Sequence, residues 1–363
     1  MPASGEVVVP AKGGVEFDAM LNGQGPFRFI FDSGASMNVL TPAVAQQLGL
    51  HPEGPVIQAA GAGSDSIPTQ ITRVDQVRIG DLVLHDQAFL ILPMPWGDHP
   101  GPVAAVGYEL MKRLLVTVDY ENERLIFDAP PSLSYSGKGM AVPLEPTLPG
   151  IQVRASVNGA SGVFGIDTGD EASLTVEQRF VAQHNLVKQL SPHYHGYSGS
   201  GVGGAEPAAY YARVETLRIG DVEVNHVIAF LCDGQAMSPE NAGNVGTQIL
   251  RQFKITFDVP HGVLYFEKNS NWGKPEVFNR AGIVIDSIQQ DQKVMTVLPG
   301  SPADIAGVAV GDIIIKIDGR VPNDNPLQRD DPGFLQSIGT VVHLTIQHGD
   351  KIRTVDLTLR DLL

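Results

Sequence analysis

The chain has 363 residues, a formal charge of -15, 40 glycines, 26 prolines and 43% apolar residues. That length suggests two or three domains, and the Gly and Pro content favours short strands and turns over long helices. No basic cluster of the kind that tracks phosphates is present, which argues against nucleic acid as a partner. The single cysteine, Cys232, excludes an internal disulfide. No apolar run reaches the roughly 18 residues that a membrane helix needs. The opening "MPASGEVVVP" has no charged segment followed by an apolar core, so no signal peptide is expected in the sequence as given.

Taken in chain order, the first patterned segment is Val15 to Thr41. It reads as two strands around an Asn22-Gly23 hairpin turn. The second strand is apolar and ends in Asp32-Ser33-Gly34 before another apolar run. A buried, unpaired carboxylate is expensive, so an aspartate at the end of such a strand needs a partner, a cleft or a proton. Next come a glycine-containing stretch, "QAAGAGSDS" (58–66), and a strand-turn-strand segment, "VRIGDLVL", from Val77. "VGYELMKRL", from Val106, has the apolar spacing of one short helix. The segment Asp128 to Gly139 is rich in Pro, Ser and Gly and reads as a linker.

Beyond the linker the same blocks return in the same order. Asn158-Gly159 repeats the hairpin turn, Asp167-Thr168-Gly169 repeats the aspartate triplet, and "LRIGDVEV" and "VGTQILRQF" follow. The offsets are 135 residues from Asp32 to Asp167, 140 from Ile79 to Ile219 and 139 from Gly107 to Gly246. Three matched blocks at nearly one offset indicate duplication. A pseudo-two-fold axis between the copies would bring Asp32 and Asp167 together. Two carboxylates about 3 Å apart cannot both ionise easily and share a proton. The ionised partner can then take a proton from water while the other donates to a carbonyl oxygen. Gly34 and Gly169 would permit tight loops, and Ser33 and Thr168 could bond across the axis.

These paired loops, each followed by a hydrophobic-Gly-helix segment, resemble the retroviral-type aspartic proteases, in particular bacterial members that carry two such units in one chain. The resemblance spans roughly residues 6 to 270. It implies a mainly β, bilobal pepsin- or retropepsin-like acid protease fold, with lobes at 1–135 and 136–274. It also implies Asp32 and Asp167 as the catalytic dyad, polypeptide as substrate, and no metal or organic cofactor. Flaps over the substrate would be 58–66, with Gly61 and Gly63, and 194–204, with Tyr197 and Gly199. One chain supplies both aspartates, so catalysis requires no dimer. The family is often exported, which tilts the expectation towards periplasm or cell surface. Asp170 departs from the pattern, which prefers a small or hydroxyl residue. Its charge would raise the dyad pKa values if it pointed inward; otherwise it faces solvent or pairs with Arg or Lys.

From Val277 the pattern changes. "GSPADIAGV" reads as a loop and short helix, with Ser301-Pro302 as cap and first turn and Gly307 at its end. "GDIIIKIDG" is a strand, and "HLTIQHGDKIRTVDLTL" a closing hairpin. The segment resembles a PDZ domain of the type attached to bacterial proteases, over 275–363. By that resemblance, Arg280, Ala281, Gly282 and Ile283 form the loop that presents N–H groups to the terminal carboxylate of a peptide. The groove helix would fall after Val321, where Pro326 and Pro332 interrupt it.

Other features read blandly. His193 and His195 lack a third metal ligand nearby and read as loop residues. "GSGVGG" lacks the Lys-Ser/Thr of a phosphate loop. Cys232 reads as a small apolar residue at a strand end. Two functions remain open from the residues: an endopeptidase whose PDZ domain recruits or gates substrate, or a noncatalytic peptide-binding protein whose dyad Asp170 has spoiled. A third idea confines the PDZ domain to stabilising or assembling the protein.

Overall fold

A computed structural model describes residues 6–95, 101–129, 134–146, 150–234, 241–286, 292–322 and 331–363. The chain is mainly β. Its two units repeat not only in sequence but in strand order. In the first, seven strands run in the spatial order Glu16–Leu21, Gln24–Phe31, Ala104–Val106, Asn38–Leu40, Leu82–Ile91, Ile67–Ile79 and Glu53–Ala59. In the second, the order is Gln152–Val157, Ala160–Ile166, Gly243–Val245, Leu174–Val176, Val222–Cys232, Ala209–Ile219 and His193–Gly196. Each sheet curls back on itself, through Glu16–Leu21 onto Ile67–Ile79 and through Gln152–Val157 onto Ala209–Ile219. Barrel closure of this kind leaves fewer free strand edges.

The hairpins form as their turn residues dictate. Asn22 and Gly23 both have positive φ (48° and 76°), as do Asn158 and Gly159 (49° and 84°), the combination a tight two-residue hairpin requires. The two asparagines do more than turn the chain. Asn22 Oδ1 accepts from Gln76 N at 2.9 Å, and Asn158 Oδ1 from Thr216 N at 3.0 Å. Each thereby pins its hairpin to the long strand beside it.

A third sheet joins the units. Its six strands follow the order Glu6–Pro10, Arg124–Asp128, Leu115–Asp119, Phe253–Asp258, Val263–Lys268 and Met140–Pro143. The pseudo-two-fold axis passes between its central strands, where Thr117 opposes Thr256. Phe31, immediately before Asp32, packs edge-on against Phe257 of the other unit at 5.6 Å. One hydrophobic core therefore runs through both units.

The expected short helices are Tyr108–Met111 and Thr247–Leu250. Three further helices were not anticipated: Pro42–Gln47, Gln178–Gln183 and Leu186–Gln189. For the first, the signal was present in the sequence. Thr41 caps it by accepting from Val44 N at 3.4 Å, with Pro42 at its first position.

The C-terminal region forms a separate core and a five-stranded antiparallel sheet that begins with Ile283–Asp286 at one edge. The expected helix is Pro302–Ile305, capped by Ser301 Oγ on Asp304 N at 3.2 Å. The expected strand is Ile313–Ile317, and the closing hairpin pairs Val341–His348 with Lys351–Thr358. Most of the stretch expected to hold the groove helix, residues 323–330, lies outside the described residues; Pro332–Leu335 after it is a single 3-10 turn.

Candidate active site

Each aspartate sits where its strand runs out between two neighbours. Asp32 N donates to Val106 O at 2.9 Å, and Asp167 N to Val245 O at 3.0 Å. The following turns are held by a reciprocal lattice across the axis. Ser33 N donates to Thr168 Oγ1 and Thr168 N to Ser33 Oγ, both at 2.9 Å. The hydroxyls donate onward, Ser33 Oγ to Ile166 O at 2.6 Å and Thr168 Oγ1 to Phe31 O at 2.7 Å. Ser33 and Thr168 are each only 1% exposed, so all four bonds lie in a low-dielectric interior where breaking one is costly.

The glycines of the triplets are set by the carboxylates of the opposite unit. A Cβ on Gly34 would overlap the Asp167 carboxylate, and one on Gly169 would lie 2.7 Å from Asp32 Oδ1. Two more glycines matter in a way that the sequence pattern did not reveal. Gly107 backs onto Asp32 O and Ala35 O, and Gly246 onto Asp170 O and Ala172 O, so that a side chain at either would displace the aspartate turn. They read in the sequence only as helix starts.

Each carboxyl lies against the glycine turn that carries the other. Asp32 Oδ1 accepts from Gly34 N (2.9 Å) and Ala35 N (3.1 Å). Asp167 Oδ1 accepts from Gly169 N (2.8 Å). Both acids are pushed above the usual carboxylate range, chiefly by desolvation; the charge of Asp32 next raises Asp167, which is pushed well above that range, and the charge of Asp170 raises both. Such a pair holds one proton between two sites. Asp170 is bonded within its own turn. Its Oδ1 accepts from Ala172 N at 2.8 Å and its Oδ2 from Thr175 Oγ1 at 3.0 Å, tying up its own loop. Its negative charge raises the pKa of both carboxyls of the pair.

The glycine-containing segments form hairpins whose tips meet. Gly63 N donates to Val202 O (2.9 Å), Asp65 N to Gly203 O (3.0 Å) and Ser64 N to Ala205 O (3.1 Å). Gly61 and Gly63 are needed for this approach, since a Cβ on either would run into Val202 or Gly203. Val202 also packs against the buried cluster of Ala59, Leu90 and Leu92 in the first unit. Gly199 (φ 159°) leads into the second hairpin beside Glu206. Tyr197 lies lower, at the stem. Its N donates to Thr296 Oγ1 of the C-terminal sheet at 2.9 Å, its carbonyl accepts from Tyr211, and its ring hydroxyl bonds Ser200. Burial first, and then nearby Asp286, hold its phenol pKa up at about 12.

The loop at 280–283 differs from the expectation. Its N–H groups do not stand open for a carboxylate. Ala281 N and Gly282 N both donate to Asn279 Oδ1, at 3.1 and 3.0 Å, and Arg280 N donates to Phe334 O. Ile283 is paired into the sheet with Val297. The Arg280 guanidinium is held by Asp361 (2.8 Å) and Gln336 O (2.7 Å). An asparagine side chain that folds back on the next turns satisfies these donors locally.

His193 and His195 lie on a strand rather than a loop, and both rings contact Tyr210, His193 edge-on and His195 tilted. Among the described residues, no cluster of three His, Cys, Asp or Glu could hold a metal ion. Cys232 ends a buried strand, and burial pushes its thiol up to about 12, which leaves it unreactive.

The aspartyl protease family matches residues 17–110, and the PDZ domain family matches residues 293–348. The first match ends within the helix after Gly107; the second unit is tied to it by the repeat and by identical strand order. No curated protein matches the chain. Among solved structures, an aspartic proteinase from Irpex lacteus is 12% identical, aligned over 74% of this chain and 99% of that one, with a TM-score of 0.48. The chain thus carries an aspartyl protease domain and a PDZ domain.

Proposed function

We propose that this protein is an aspartic endopeptidase that hydrolyses peptide bonds in polypeptides with a water activated by Asp32 and Asp167. The observation that carries this reading is the paired approach of two carboxyls onto each other's glycine turns, locked by Ser33 and Thr168. A water between the carboxyls gives up a proton to the ionised partner as its oxygen attacks the scissile carbonyl. The protonated partner donates to the carbonyl oxygen, so charge does not accumulate in a site of low dielectric. Collapse of the tetrahedral intermediate returns a proton to the leaving amine. The reading as a noncatalytic peptide binder rested on Asp170 spoiling the dyad, and the bonds of Asp170 within its own loop support the enzyme instead.

The hairpin tips, bonded to each other through the backbone, act as the flaps and must part to admit substrate. The PDZ domain gates that movement, in this reading, rather than capturing a carboxylate at 280–283. Its support is the contact of Thr296 with Tyr197 at the stem of the second flap and the apolar packing of Val284 and Leu298 with Tyr211 and Phe230. The test is cleavage of an unbiased peptide library from acid to neutral pH, with Asp32→Asn beside the wild type. Cleavage abolished by the substitution is the expected result. Equal cleavage by both proteins would overturn the mechanism.

A further inference from the structure

The two units differ in polarity at the register pair two residues before each aspartate. In the first unit Ile30 lies opposite Ala105 on parallel strands, and both are buried and apolar. The equivalent pair in the second unit is Gly165 and Asn244. The bulk has changed sides: a Cβ at position 165 would overlap Asn244 Oδ1. The room left by Gly165 holds an amide, and its Nδ2 donates to Asp167 Oδ2 at 3.3 Å.

The amide cannot turn around freely. Asn241 Nδ2 donates to Asn244 Oδ1 at 3.4 Å, while Asn241 Oδ1 accepts from Gly243 N at 3.1 Å. Flipping Asn244 would set its amino group against that of Asn241 and its oxygen against the Asp167 carboxylate. The donor facing Asp167 is therefore fixed by the network.

The consequence is an uneven pair. Both oxygens of Asp167 receive an N–H, from Gly169 at Oδ1 and Asn244 at Oδ2. In Asp32 both backbone donors converge on Oδ1, and among the described residues no N–H reaches Oδ2. A proton on Asp32 Oδ2 displaces no donor, whereas a proton on either oxygen of Asp167 does. An N–H directed at a carboxylate favours its ionised form.

We infer that Asn244 is a positioning residue that makes the dyad asymmetric, holding Asp167 as the ionised base that activates water and leaving the shared proton on Asp32 as the acid. This rests on the reading of Asp32 and Asp167 as the catalytic pair. It adds a residue that the triplets themselves do not contain, and whose counterpart in the first unit, Ala105, has no donor to offer.

The test compares wild type, Asn244→Leu, which nearly keeps the shape and loses the donor, and Asn244→Ser, which restores a shorter donor. Loss of a hydrogen bond to a charged group predicts roughly a tenfold fall in kcat for Asn244→Leu. KM should stay nearly constant, and the acid limb of the kcat/KM profile should move up by about one pH unit. Asn244→Ser should recover part of both changes. A purely structural role would lower activity without moving the limb, and superposable acid limbs in wild type and Asn244→Leu would overturn the inference. Carboxyl-13C aspartate NMR supplies a readout that needs no turnover. The first ionisation of the pair should shift upward in Asn244→Leu, and an unshifted titration overturns the inference. If the wild type cleaves nothing, the proteolytic reading fails on its own while this titration still decides the role of Asn244.

Discussion

Thr117 and Thr256 face each other across the pseudo-two-fold axis with their hydroxyls 2.8 Å apart, buried in the sheet that both units share. Each gives the other its hydrogen-bond partner. Thr117→Val should therefore leave the Thr256 hydroxyl unsatisfied and cost about 1–3 kcal/mol. The double change Thr117→Val/Thr256→Val removes both polar groups and should cost less than the two single changes summed. A double-mutant cycle in urea measures the difference, and simple additivity would show that the pair is not coupled.

The dyad itself should work against stability at neutral pH. Both carboxyls have folded-state pKa values above their ordinary value of 3.8. Their contribution to stability is complete below that pH and is lost as pH rises through the folded values. Asp167→Asn should abolish cleavage yet raise Tm at neutral pH, and the gain should vanish in acid. Calorimetry across pH tests the sign; a Tm lowered at neutral pH would contradict it.

Glu276 links the turn after Asp167 to the start of the C-terminal region. Its carboxyl accepts from Ser173, six residues beyond Asp167, and from Ile228 N at 3.0 Å. Burial pushes its pKa up to about 7 against the pull of those bonds and of Arg213 and Arg251. The stability it contributes is fully present below its ordinary value of 4.5 and declines as pH rises through about 7. Glu276→Gln should flatten the Tm profile across that window. A profile parallel to wild type would show that Glu276 does not titrate there.

Thr296→Val should loosen the second flap without unfolding the PDZ domain. The Tyr197 N–H loses its acceptor, Thr296 Oγ1, so amide exchange at 197 should speed up. Cleavage should change severalfold while global stability falls by about 1 kcal/mol. Unchanged exchange and unchanged cleavage together would remove the basis for gating through this contact.

Gly63→Ala tests the meeting of the flap tips. A methyl group there has nowhere to go but into the backbone of Gly203. The tips should separate, and amide protection at Ser64 and Asp65, whose N–H groups reach Ala205 and Gly203, should fall. Retained protection would mean that the tips accommodate the side chain.

The sequence made the duplication legible because strand, turn and motif recur in one order, and the Asp-Ser-Gly and Asp-Thr-Gly triplets carry chemistry that a turn does not need. The PDZ segment was legible for similar reasons: Ser301-Pro302 and Gly307 mark the ends of a helix in any context. What stayed hidden depends on partners distant in the chain. Nothing local distinguishes Gly107 as a seat for Asp32 O from a helix-starting glycine. The engagement of Ala281 N and Gly282 N by Asn279 is local, yet a loop resemblance predicts backbone shape and not which side chain occupies its donors. Tyr197 was expected on a flap from its position alone, while its bond to Thr296 spans 99 residues and leaves no periodic trace.

The exchange of Ile30 and Ala105 for Gly165 and Asn244 has a broader consequence. When a protease is assembled from two copies of one polypeptide, any substitution arrives twice, and an amide beside one carboxylate obliges an amide beside the other. Joining the copies end to end removes that obligation. Each half becomes free to specialise, one keeping an apolar neighbour and the other acquiring a polar one, so the covalent connection supplies division of labour as well as proximity.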